Sequence, residues 1–105
     1  MDNKEEAMKE EPTKVIFRKW RGGNVLALFP EIPADIHGQF CQSYEHIGQH
    51  GSADYTHCIG KTTPANPGEY QDLKEELEKI GYRLNVVDRI TPAMGKARRE
   101  NAQRV

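Results

Sequence analysis

The residues best able to do chemistry crowd into one stretch of the chain. His37, Cys41, His46, His50, His57 and Cys58 are all four histidines and both cysteines of the sequence. Zinc and its neighbours need such donors converging within about 2.0–2.3 Å of one point. His46 and His50 match one half of a zinc-ligand spacing, but no Cys-x2-Cys half accompanies them. If two strands pair here with Tyr55 opposite His46, His57 falls opposite Tyr44, on the same face as His46. Cys41 and Cys58 then point to the other face. A site made of His46, His50 and His57 survives that geometry and leaves a position for water, with zinc or a similar ion as its cofactor. The plainer expectation is no cofactor, the histidines being polar side chains on a half-exposed sheet face.

The cysteines suggest neither a disulfide nor a nucleophile. In the same register they are diagonal neighbours, too far apart for an unstrained bridge. The opening Met1-Asp2-Asn3-Lys4-Glu5-Glu6 has no export signal, so reduced thiols and a cytoplasmic location are expected. His57 and Cys58 are adjacent, and adjacent strand residues face opposite ways, which separates thiol from imidazole. Gly48-Gln49-His50-Gly51-Ser52 could offer backbone N–H groups to an anion, but it equally suits a hairpin connection. The balance falls against an enzyme.

These residues need elements to position them. Lys14–Trp20 and Asn24–Phe29 are rich in strand formers, and Gly22-Gly23 between them suits a two-residue hairpin loop. That loop sets Trp20 opposite Val25, Arg18 opposite Ala27 and Ile16 opposite Phe29. Ile16, Trp20, Val25 and Phe29 then share one face, and Val15, Phe17, Leu26 and Leu28 the other. The prolines in Pro30-Glu31-Ile32-Pro33 interrupt the ladder. A third strand is expected over 39–47 and a short fourth over 55–59. Asn66, Pro67 and Glu69 form a capping box with proline at the first helical position. Tyr70, Leu73, Leu77 and Ile80 continue from it as one helical stripe, and Gly81 suits the stop. A last strand is read over 82–88. The expected class is α+β, a mostly antiparallel sheet of four to five strands in the order ββββαβ with one helix packed on a face.

The 105 residues carry 15 basic and 16 acidic side chains, and this near-neutrality argues against a polybasic nucleic-acid or membrane binder held by charge alone. No apolar run approaches the ~20 residues that span a bilayer, so no membrane partner is expected. Charge is graded along the chain. Residues 1–12 hold two lysines against five acids, and residues 89–105 hold five basic groups against one acid. The expectation is a disordered acidic segment over 1–12, a single domain over 13–90, and a basic tail over 91–105, disordered or transiently helical.

Val15-Ile16-Phe17-Arg18, Ala27-Leu28-Phe29-Pro30-Glu31-Ile32-Pro33, Ser43-Tyr44-Glu45-His46-Ile47-Gly48-Gln49-His50-Gly51 and Leu77-Glu78-Lys79-Ile80-Gly81-Tyr82 resemble a family of small bacterial proteins associated with phages and other mobile elements. The resemblance spans about residues 14–88. It implies a cytoplasmic accessory role and no particular activity, so it transfers no catalytic residue.

Three functions follow from the residues. One helix can cover one side of a sheet, and the hairpin is apolar on both, with Trp20 and Phe29 on one side and Phe17 on the other, so the side left uncovered is expected to meet a protein partner or a second copy. Alternatively, Arg18, Lys19 and Arg21 around Phe17 and Trp20, with Arg98 and Arg99 from the tail, could hold nucleic acid by stacking and phosphate contacts. The third is a small metal-dependent protein using His46, His50 and His57.

Overall fold

A computed structural model describes residues 12–45 and 49–103, except for the side chains of residues 49, 50, 55 and 56. It is an α+β fold. Strands β1 (Thr13–Trp20), β2 (Val25–Pro33), β3 (Phe40–Glu45) and β4 (Gln49–Asp54) come first. They are followed by α1 (Tyr55–Lys61), β5 (Thr62–Pro64), α2 (Pro67–Ile80), β6 (Leu84–Val86) and α3 (Pro92–Ala102). The sheet runs β4-β3-β2-β1-β5, with β6 also on β1. The pairings are antiparallel except that of β6, which lies parallel to Thr13–Val15.

The first hairpin differs from expectation by one residue. Ile16 pairs with Leu28, Phe17 with Ala27 and Arg18 with Leu26. The loop takes three residues, because Gly23 N–H returns to the Trp20 carbonyl at 2.8 Å and Trp20 N–H reaches the Asn24 carbonyl at 2.9 Å. Gly23 has φ +99°, the left-handed residue that completes a three-residue loop of this kind. A one-residue slip moves every side chain of a strand to the other face. Val15, Phe17, Ala27, Phe29 and Tyr44 therefore share one face, and Ile16, Leu26, Leu28 and Cys41 the other.

Helix α2 roofs the first of these faces. Asn66 accepts Glu69 N–H at 2.9 Å and Glu69 accepts Asn66 N–H at 3.0 Å, so the capping box is complete. Leu73 and Leu77 are buried over the sheet, and Tyr70 stacks on Phe17 with ring centroids 4.3 Å apart. Ile80 ends the expected stripe but stands 51% exposed, beyond the sheet's reach. Lys19 binds the Glu69 carboxylate, which, with the Asn66 N–H, holds that carboxyl below its ordinary pKa.

The second face is roofed as well. Cys58 and Ile59 of α1, with Val87 and Ile90, pack on Ile16, Leu26, Leu28, Cys41 and Ala53. The fourth strand expected over 55–59 is instead helix α1, capped where Asp54 accepts His57 N–H at 3.2 Å. Strand β4 precedes it.

The segment expected as a basic tail is part of the domain. Helix α3 buries Met94, Arg98 and Ala102. It docks where β2 leaves the β3 ladder: Phe29 pairs with Gln42 but Pro33 pairs with Cys41, so Pro30, Glu31 and Ile32 bulge out. Proline has no N–H to give the ladder. Arg98 donates to the Pro30 carbonyl at 2.9 Å and to the Gly38 carbonyl at 2.8 Å, and Asn101 donates to the Glu31 carbonyl at 2.9 Å. The acidic segment expected over 1–12 lies, up to residue 11, outside the described residues.

Gly38 is where loop and helix touch. Its φ is +72°, and a Cβ there would sit 2.7 Å from the Arg99 Cα. Gly38→Ala should lower stability by about 2–4 kcal/mol, from a strained backbone plus displacement of α3. Gly22→Ala, with nothing within 4 Å, should stay within about 0.5 kcal/mol. Thermal denaturation of both variants checks the difference; equal melting temperatures would contradict the docking.

Candidate interaction surface

The three sets of expected site residues fare differently. Phe17 and Phe29 are 3% and 0% exposed in the chain's own core, and Trp20 is half-buried against the second cluster. The premise that one hairpin face stays bare is therefore corrected: α2 covers one side, and α1 with residues 87–90 covers the other. Phe17 and Phe29 have no open face to offer a partner.

The basic residues do not form one surface. Arg18 is buried, donating to Thr62 Oγ1 at 2.9 Å, the Thr62 carbonyl at 2.7 Å and the Ile59 carbonyl at 3.2 Å, which satisfies the C-terminal end of α1. Lys19 is tied to Glu69, and Arg98 is buried against Pro30 and Gly38. Arg21 and Arg99 are exposed, but Arg21 sits at the hairpin tip and Arg99 on α3, at opposite ends of β2.

His46 lies outside the described residues. The backbone of His50 pairs with Tyr44 in β4, the position expected for His57. His57 is exposed on α1. Among the described residues no group of three or more His, Cys, Asp or Glu is placed to hold a metal ion. Cys41 and Cys58 are free thiols buried in the second core cluster. Burial pushes the Cys41 thiol up to about 11 against the opposing pull of Arg98. Burial also raises Cys58, helped by the Asp54 and Glu45 carboxylates.

Composition and period missed a surface at the far end of the sheet. Ile36 is 80% exposed and Phe40 37%, and the loop between them is fixed at several points. Ala34 N–H binds the Phe40 carbonyl at 2.9 Å, Phe40 N–H binds Asp35 Oδ1 at 2.8 Å, and Arg98 holds Gly38. A shallow depression of about 500 Å³ adjoins Ile36, bounded by Pro33, Asp35, Gln42 and Ala102. Gln42, which lines the depression, pairs with Ser52 of β4, and Phe40 pairs with Asp54, so β4 is the next strand beyond it.

Strand β4 ends the sheet, and no described strand pairs with its outer edge. Hydrogen-bonded and non-bonded pairs alternate across antiparallel strands. Carried outward from Trp20–Asn24 through each register, the alternation turns the backbone groups of Gly51 and Ala53 toward β3 and those of Ser52 and Asp54 outward. Residues 49–54 hold neither the lysine nor the proline that commonly blunts an edge.

Comparison of the chain with family models, curated proteins and solved structures returns no match. Chemistry at the thiols can be checked directly. The folded chain should react with a thiol reagent at neutral pH about a hundredfold more slowly at Cys41 than a free cysteine does, because the thiolate is scarce and covered. Mass spectrometry after timed labelling reads this, and rapid modification of the folded chain at Cys41 would contradict the burial.

Proposed function

We propose that this chain is a protein-interaction module that presents Ile36, Phe40 and the neighbouring edge of β4 to a protein partner, a second copy being the simplest. The observation that carries the reading is Ile36, 80% exposed on a loop held by hydrogen bonds. An apolar side chain fixed in water gains by burial without the ordering cost of a floppy loop. The open strand edge beside it supports main-chain pairing with an added strand. The accessory, cytoplasmic role in a phage or mobile element implied by the resemblance is part of the same proposal.

Sedimentation velocity over a broad concentration range tests it. The sedimenting mass should rise from 12.0 kDa toward twice that value with concentration. Ile36→Asp should weaken this association at least about tenfold, as loss of a central apolar anchor does. Ser52→Pro should also weaken it, since it removes an outward N–H while leaving the β3 ladder intact. Ile80→Asp, an exposed apolar site elsewhere, should have no effect. A chain that stays monomeric throughout, or associates equally well with Ile36→Asp, would contradict the proposal.

A further inference from the structure

The outer edge of β1 is divided between two short strands that meet head-on. Parallel β6 covers Thr13–Val15 and antiparallel β5 covers Arg18–Trp20. Val87 N–H reaches the Val15 carbonyl at 2.9 Å and Ala65 N–H reaches the Phe17 carbonyl at 3.1 Å, so the two segments end with only Ile16 of β1 between them. From there they part. The chain after β5 climbs onto the first face, where Tyr70 stacks on Phe17, and the chain after β6 crosses to the second, where Val87 and Ile90 pack. Strand ends whose connections leave to opposite faces open a crevice, the general reason ligands bind where a sheet's connections diverge.

The crevice has a volume of about 330 Å³. Tyr70, Pro64, Pro67 and Val86 give it apolar walls, with Phe17 beneath the Tyr70 ring, and Asp88 is the single charged residue in its lining. The first turn of α2 borders it through Pro67, but that turn's N–H groups do not call for an anion: Asn66 and the Glu69 carboxylate already complete its cap. The one charge that the lining itself offers a ligand is thus a carboxylate beside apolar walls. The geometry points to a binding site for a compact organic cation, a protonated primary amine on a flat hydrocarbon body, with the body between Tyr70 and the prolines and the ammonium at Asp88. A volume near the lower end of the usual range for ligand pockets admits one ring and a short chain. The face of Tyr70 adds attraction for the cation.

The test uses the full chain and three probes of one shape: 2-phenylethylamine, 2-phenylethanol and phenylacetate. Each is titrated while amide signals are followed by two-dimensional NMR. The amine should shift the amides of Phe17, Ala65 and Val87, the alcohol should bind more weakly, and the anion should leave them unmoved. Asp88→Asn, an exposed substitution, should weaken the amine about fivefold, toward the alcohol, and leave the alcohol unchanged. No shift with the amine, equal binding of amine and anion, or an amine affinity indifferent to Asp88→Asn would each overturn the inference.

Discussion

The fold turns on how it treats the carbonyls that β2 withdraws from its ladder. Pro30 cannot donate to a neighbouring strand, and with Glu31 and Ile32 it is displaced from the register with β3. Buried carbonyls without partners cost about 1–3 kcal/mol each. Arg98 and Asn101 meet two of them, and the same guanidinium holds the Gly38 carbonyl. One side chain thereby joins three parts of the chain: a bulged strand, the loop after it, and the last helix.

The candidate surface depends on that junction. The loop carrying Ile36 is fixed on one side by its own turn through Asp35 and on the other by Arg98. Arg18 does comparable work at the other end of β1, where it meets the C-terminal carbonyls of α1 and so seats Cys58 and Ile59 over the second sheet face. Arginine suits both places because its planar fork donates in several directions while its stem lies among apolar neighbours. Residues that look like phosphate contacts in the sequence are used to close the fold. What remains open is the far edge of the sheet and the loop beside it.

Helix α2 was legible because cap, first-turn proline and apolar stripe agree over one segment. The break at Pro30–Pro33 was legible for the same local reason. The hairpin register was not, because Arg21-Gly22-Gly23 serves a two- or a three-residue loop, and a strand pair apolar on both faces tolerates either. Helix α1 hid behind the strand formers Tyr55, Thr56 and Ile59; the overlooked signal was Asp54, a capping residue directly before it. Helix α3 hid because its buried stripe of Met94, Arg98 and Ala102 has a guanidinium at its centre, which a hydrophobic period does not register. Thr91 before Pro92 was the signal available there. Ile36 could not be read as a surface anchor, since its exposure follows from a loop whose supports come from distant residues.

Native-state hydrogen exchange reports most directly on whether the last helix belongs to the domain. Amides from Arg98 to Ala102 are expected to exchange as slowly as those of β1 and β2, and Arg98→Met is expected to release both them and the Gly38 amide. Exchange of the α3 amides at the rate of an unfolded chain, while the sheet stays protected, would contradict the junction at Arg98 and the braced loop built on it.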